Sequence, residues 1–464
     1  MAEALSIRSI RWDITNLCNL NCAHCYSSPE DVRDLGFESV VGIIEKLIPL
    51  GLREINLSGR EPTLRRDLIT ICEWCRQKDL TVNVTTNGTT WDPHDYEELL
   101  KTKISMVVFS LDGVTGSTHD KVRGAGNFDI TIANIRHCAE YVRQYGRSSK
   151  VGVSCTLQKY NAHEASRMID ICYELGVHFL GVNPVSYCGS ASSRKSSFYL
   201  SPSAIAQCWD DMCARYMKYE PRFELYLGIF PMEAKYLNVK YNLDLPVVYT
   251  GCSAGRTIYV DPAGKALPCY MLPAMAEVKP ELEHYLAYWQ VLDEPYERGV
   301  ELFEPFISFT RNYSQKENRD CVNCPDADVC KRCPLIALTD QEALMRCRMA
   351  RVRLDSMKAN IDDSTIITVK RHIQWKFNDG VLYLHIKKDG YLNTKTLELD
   401  PIAQTIWLEI NKINTVVDIK RTLKEKLPVE NHKDIHQFLS DVIDYLWKEG
   451  IIVIKGANEE KHLA

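Results

Sequence analysis

Three cysteines near the start of the chain could ligate metal. Cys18, Cys22 and Cys25 sit in Asp13-Ile14-Thr15-Asn16-Leu17-Cys18-Asn19-Leu20-Asn21-Cys22-Ala23-His24-Cys25-Tyr26, directly after the first strand-like run. Thiolates at offsets of four and three in one loop can wrap a corner of a cubane cluster. A [4Fe–4S] cluster normally takes four cysteines, so three leave one iron open to a further ligand. A structural zinc ion is the competing reading; it would need a fourth ligand, for which His24 is the near candidate.

A second group lies far downstream: Cys252, then Gly264-x4-Cys269, then Cys321-x2-Cys324-x5-Cys330-x2-Cys333, then Cys347. In isolation, the Cys-x2-Cys-x5-Cys-x2-Cys run would favour one or two zinc knuckles. The chain has 18 cysteines, and its first residues lack the apolar core of a signal peptide. A disulfide framework does not suit a reducing compartment, so metal ligation explains the clustered cysteines. Cys72, Cys75, Cys138 and Cys155 sit among apolar residues and read as small core side chains.

The 464 residues are enough for two or three domains, and a net charge of -5 argues against bulk binding to nucleic acid or an anionic membrane. No apolar run is long enough to span a bilayer, and a cytoplasmic location is expected.

These cysteines need a frame to position them. Apolar, β-branched runs occur at Ile10–Thr15, Glu54–Ser58, Leu80–Thr86, Ile104–Leu111, Val151–Thr156 and Phe179–Val185. Amphipathic stretches lie between them, at Glu38–Leu50, Leu68–Gln77, Ile130–Tyr145 and Glu164–Leu175. Six strand–helix alternations imply an α/β fold with a parallel sheet, too short for a closed eight-fold barrel. Ligands should then gather at the C-terminal ends of the strands. Residues 191–250 read as a helical bridge, and 251–360 as a small domain folded around metal. From residue 368 to 457, strands (Ile373–Phe377, Val381–Ile386, Leu392–Leu399) precede helices near Pro401–Ile413, Val416–Lys426 and Lys433–Glu449. A short strand at Ile451–Ile454 closes a winged-helix-like module.

The Cys-x3-Cys-x2-Cys loop after the first strand resembles the radical S-adenosylmethionine (SAM) superfamily over residues 9–185. Ser58-Gly59-Arg60-Glu61-Pro62 resembles the Gly-Gly-Glu-Pro turn of that family, with Arg60 in place of the second glycine. Thr86-Asn87-Gly88 matches the end of the third strand, and Ser110-Leu111-Asp112-Gly113 with His119-Asp120 and Arg123-Gly124 the fourth. The resemblance implies a partial (β/α)6 barrel of residues 1–190. It implies a SAM-binding [4Fe–4S] cluster on Cys18, Cys22 and Cys25, with Gly59 and Glu61 at the methionine amine. Ser110 and Asp112 would face the ribose and Arg123 the SAM carboxylate. The implied chemistry is reductive formation of a 5′-deoxyadenosyl radical, with an electron donor such as flavodoxin or ferredoxin.

The second cysteine group resembles the SPASM extension of radical SAM enzymes that modify ribosomally made peptides and proteins. That likeness implies two auxiliary [4Fe–4S] clusters, hence three in all. Cys321, Cys324, Cys330 and Cys347 would hold the outer one, and Cys252, Cys269 and Cys333 the inner one. Only Lys331 and Arg332 separate the last two cysteines of the run, where the family has three residues. Ile258 stands where fully ligated relatives have another cysteine, which leaves the inner cluster an open iron. Cys188, after the sixth strand, could donate hydrogen to a substrate radical, complete the inner cluster, or be a packed thiol.

The tail resembles the PqqD-like recognition domain that binds a precursor's leader peptide as an added strand. From Lys370 on, 15 Lys+Arg stand against 14 Asp+Glu, a balance of +1, too little for a typical DNA-gripping surface. The expectation is a radical SAM oxidoreductase that modifies a precursor peptide, forming an intramolecular cysteine thioether. Carbon–carbon cross-linking, epimerisation, decarboxylation and backbone excision are its alternatives within peptide chemistry. Maturation of a target protein, as in sulfatase-maturing enzymes, and an iron–sulfur redox-sensing transcription factor are alternatives of other kinds.

Overall fold

In the first strand, β1 (Ser9–Asp13), Ile10 and Trp12 are fully buried, while Arg11 and Asp13 alternate onto the opposite face. The computed structural model describes residues 6–26, 33–186, 189–219, 223–247, 252–313, 321, 333–335, 342–359, 361–370, 373–378, 381–388, 391–412, 415–427 and 434–455. Contacts divide the chain into two compact units, Met1–Pro231 with Leu245–Cys347, and Met232–Asp244 with Arg348–Ala464.

In the first unit, β1 is followed across one sheet by β2 (Glu54–Ser58), β3 (Thr81–Thr86), β4 (Met106–Ser110), β5 (Lys150–Leu157), β6 (Phe179–Pro184) and β7 (Glu224–Leu227). Each is parallel to its neighbour, in register pairs such as Trp12↔Leu57 and Ser110↔Ser154. Parallel neighbours need crossovers, which α1 (Phe37–Leu47), α2 (Leu68–Gln77), α3 (Pro93–Lys101), α4 (Gly116–Arg123), α5 (Asn127–Gln144) and α6 (Arg167–Leu175) supply. α1 shows how the sequence sets these faces: Val40, Ile43, Ile44 and Leu47 recur at helical spacing and are all buried.

The sheet is larger than six strands. β7 extends it in a segment expected to be a helical bridge, and β8 (Thr257–Val260) pairs parallel with the free side of β1. β9 (Lys265–Leu267) and β10 (Trp289–Gln290) then add antiparallel, giving ten strands in the order β10-β9-β8-β1-β2-β3-β4-β5-β6-β7. β7 and β8 are each only four residues long, too short to show a clear period in sequence. Gly264 makes the tight β8–β9 turn with φ 83°, where a Cβ would lie 2.7 Å from Leu35 Cδ1. Ile258 pairs with Ile10 and is fully buried, so this position serves the core. Among the described residues no helix is long and apolar enough to cross a membrane.

In the second unit, β11 (Ile366–Val369) pairs antiparallel with β15 (Ile452–Lys455). β12 (Ile373–Asn378), β13 (Val381–Lys388) and β14 (Tyr391–Glu398) form a meander. Helices Pro401–Ile410, Val416–Lys426 and Ile435–Lys448 follow. Asp400 caps the first of these by accepting from the Ile402 and Ala403 amides at 2.9 and 2.8 Å, with Pro401 at the first helical position. Leu382, Leu384, Ile406, Trp407, Leu439 and Ile443 are buried in one core that sheet and helices share.

Candidate functional site

The turns after β1, β2, β3 and β4 all open at one end of the sheet, which is where a parallel arrangement collects ligands. The cysteine loop after β1 is tied by backbone bonds to the turn after β2, to α4 and to the segment after β6. Glu61 N donates to Leu17 O at 2.9 Å, Ala23 N to Val122 O at 2.9 Å, and Ser190 N to Cys25 O at 2.8 Å. Asn19 adds side-chain bonds to Thr89 and Asn87, each 2.9 Å.

Cys18, Cys22 and Cys25 are half-buried, in no disulfide, and close enough for their charges to interact. Burial pushes Cys18 up, against a bond from the Leu20 amide at 3.4 Å. Burial pushes Cys22 up to about 11, opposed by the Arg123 guanidinium, whose Nη1 lies 3.9 Å from the sulfur. These thiols line a cavity of about 400 Å³, together with Gly59, Ser110 and Arg123. Six residues singled out from sequence therefore share one chamber. Gly59 has φ 104°, and a Cβ there would lie 2.7 Å from Asp13 Cα, so only glycine permits the turn.

Two of the expected cofactor residues, Asp112 and Glu61, stand behind the cavity wall. Asp112 is fully buried and does not line the cavity; it accepts from Arg123 Nε at 2.6 Å and from the Thr156 amide at 2.7 Å. Burial would raise its carboxyl, but Arg123, His24 and the Thr156 amide more than offset this and hold it below the ordinary range. Glu61 is also fully buried and off the cavity wall. It accepts from Thr63 N at 3.1 Å, Thr63 Oγ1 at 2.5 Å, Thr86 Oγ1 at 2.7 Å and Asn87 N at 2.7 Å. Burial nevertheless leaves its carboxyl above the ordinary value. Both carboxylates brace the walls.

Sequence reasoning passed over Thr156 and Asn161, and named His24 and His119 without their part in these networks. Asn161 Nδ2 donates to Asp112 O at 3.0 Å, and the Asp112 amide donates to His119 Nδ1 at 3.2 Å. Burial lowers His119 to about 4, so it is neutral. His24 Nε2 lies 3.6 Å from Asp112 Oδ2, while its buried Nδ1 meets no protein partner. No local motif marks Thr156 or Asn161; both are brought in by β5 and the turn beyond it.

A second cavity, of about 330 Å³, shares Arg11, His24, Tyr26, Ser58 and Thr156 with the first. The Arg11 guanidinium lies over the Tyr270 ring at 4.2 Å, and Tyr259 Oη donates to Asp13 Oδ2 at 3.0 Å. Tyr270 and Met271 carry this wall to Cys269. The charge of Cys269 interacts with those of Cys333 and Cys252, and burial pushes its thiol up to about 12. The structure thus brings Cys252, Cys269 and Cys333 together. Cys321 and Cys347 are half-buried and in no disulfide, while Cys188, Cys324 and Cys330 lie outside the described residues. Cys72, Cys75, Cys138 and Cys155 are buried, as small core residues should be.

Three soft thiols on one loop, beside a roomy chamber with an unpaired imidazole nitrogen, fit an iron–sulfur cluster carrying an added small ligand. Among the described residues no three Cys, His, Asp or Glu side chains converge on a single metal ion. A cubane does not ask them to, because each thiolate takes its own iron.

Residues 12–170 match the Radical SAM superfamily. Among curated proteins, the chain is 32% identical over 185 residues to the Fe-coproporphyrin III synthase of Methanosarcina barkeri, covering 39% of this chain and 45% of that protein. It is 26% identical over 335 residues to the PqqA peptide cyclase of Methylocella silvestris, covering 70% and 83%. Among solved structures, Streptococcus suis SuiB bound to its precursor peptide SuiA superposes with a TM-score of 0.57 at 15% identity, covering 73% and 74%. The first of these matches spans less than half of its relative's length, and the last speaks to the fold alone. Residues 12–170 thus match the radical SAM model, and the proteins this chain resembles include a peptide cyclase.

Proposed function

We propose that this chain is a radical SAM oxidoreductase that modifies a ribosomally synthesised precursor peptide, closing a thioether between a substrate cysteine and a carbon. The observation that carries the reading is the joined pair of cavities. One is walled by Cys18, Cys22 and Cys25; the other runs on to Tyr270 and Met271, beside Cys269. A substrate segment in the second cavity would lie between the two cysteine groups.

In this reading Cys18, Cys22 and Cys25 hold the SAM-binding cluster, and Gly59, Ser110 and Arg123 shape the chamber for SAM. Together, cluster and SAM supply one-electron cleavage of the sulfonium to a 5′-deoxyadenosyl radical. Cys252, Cys269 and Cys333 would hold an inner auxiliary cluster with three ligands, leaving an iron for a substrate thiolate, whose proton is lost, and accepting the electron left over when the substrate radical bonds to sulfur. Cys321, Cys324, Cys330 and Cys347 hold an outer one. Arg11, Asp13, Tyr259 and Tyr270 orient the substrate. The second unit binds the leader in the PqqD-like manner, and a flavodoxin or ferredoxin delivers electrons.

A porphyrin substrate is the second reading, favoured by the likeness to Fe-coproporphyrin III synthase. The peptide reading is preferred because the PqqA peptide cyclase aligns over more of this chain. Anaerobically reconstituted protein, with SAM and dithionite, should convert a cysteine-containing precursor to a product lighter by two hydrogens, with 5′-deoxyadenosine released. Turnover of iron coproporphyrin alone would favour the second reading, and no 5′-deoxyadenosine with either would defeat both.

A further inference from the structure

Arg60 stands where the resemblance leads one to expect glycine, and it lines the first cavity beside Cys18. Its Nε and Nη2 are shut off from solvent and bonded to no protein group. A buried guanidinium edge left this way is costly, so the site is built for a partner. Nε and Nη2 form the edge of the guanidinium that grips a carboxylate through two parallel bonds. Arg215 uses the same edge on Asp170, with Nε to Oδ1 at 2.7 Å and Nη2 to Oδ2 at 2.6 Å.

The other cations of the chamber are engaged. Arg123 is bonded to Asp112 and directed at Cys22, and Arg11 lies on Tyr270. No Asp or Glu is among the described residues of the cavity wall, and Glu61 spends its oxygens on Thr63, Thr86 and Asn87. We infer that Arg60 is the residue that binds the carboxylate of SAM, the role the resemblance gives to Arg123. This rests on the radical SAM domain alone and is independent of the substrate.

The test compares SAM with decarboxylated SAM, binding each anaerobically to the iron–sulfur-loaded full chain by calorimetry. Arg60→Gln should weaken SAM by about tenfold to a hundredfold, as expected for a lost charged hydrogen-bonded pair. It should leave decarboxylated SAM unchanged, with iron content and the spectrum of the reduced cluster intact. Arg60→Lys, a point charge without the fork, should recover part of the discrimination. Equal weakening of both ligands, unchanged discrimination, or a loss of discrimination seen only in Arg123→Gln would overturn the assignment. If Arg60→Gln does not load iron, Arg60→Lys decides: discrimination equal to that of the unaltered chain overturns it.

Discussion

Arg123 is held from two sides: its Nε lies 2.6 Å from Asp112 Oδ2 and its Nη1 3.9 Å from the sulfur of Cys22. The buried carboxylate of Asp112 thereby sets the position of a cation against the Cys22 thiol. Asp112 is in turn fixed by the Thr156 amide from β5, so a neighbouring strand reaches the cysteine loop through two side chains.

Asp112→Asn should therefore damage the frame before it damages chemistry. Leaving Arg123 buried without its partner costs about 3–5 kcal/mol by the usual cost of breaking such pairs. The folded carboxyl is held below its unfolded value. Its contribution is thus present above the unfolded value near 3.9 and lost as pH falls through the folded one. Chemical denaturation of the unloaded protein across acid pH should show a shallower acid loss in the variant. An unchanged acid limb would contradict this.

Gly59→Ala tests the turn after β2. The new methyl would meet the backbone of Asp13 at 2.7 Å, and φ 104° is itself unfavourable for alanine. Strain of this kind costs about 1–3 kcal/mol. The turn carries Glu61, whose amide holds Leu17 O, so relief of the clash should displace the cysteine loop. Iron analysis after reconstitution should show impaired loading of the first cluster. Normal loading would mean that the loop does not depend on this turn.

Cys269→Ala should remove one cluster's worth of iron per chain and spare the site on Cys18, Cys22 and Cys25. Cys269 also packs against a small core cluster that includes Leu272 and Met275, so a modest loss of stability should accompany it. Paramagnetic resonance with and without SAM separates the two sites, because only the first responds to SAM. Iron content equal to that of the unaltered chain would refute a cluster at Cys252, Cys269 and Cys333.

Much of this was legible before the structure, and the reasons differ by residue. Glu54–Ser58 and Leu68–Gln77 have the bounds that their periodicity predicts, because each buries one clean face. The four residues of β7, Glu-Leu-Tyr-Leu, carry too little pattern to stand out between helices. Gly59 and Ser110 reach the chamber because they follow or end strands, and Arg123 because it closes α4, the helix after β4; sequence order reveals both. The bonds that tie Asp112 and Glu61 into the frame are hidden in sequence, since their partners Thr156, Asn161, Thr86 and Asn87 come from other strands and turns. Chain order alone does not say which carboxylate the fold itself satisfies.

The second unit offers the last prediction. In its meander β12 and β14 each pair only with β13 among the described residues, so a leader segment has an edge on which to add as a strand. Trp375 on β12 is 36% exposed and stands edge-on to the buried Trp407 of helix Pro401–Ile410, with ring centroids 5.7 Å apart. An aromatic half in water and half on a fixed partner is the sort of side chain that anchors a docked peptide, contributing about 2 kcal/mol or more. Trp375→Ala in the full chain should therefore weaken binding of a synthetic leader peptide by more than about tenfold, as read by calorimetry. Trp407→Ala should instead lower stability, because that ring belongs to the core. Leader affinity untouched by Trp375→Ala would move recognition away from this edge.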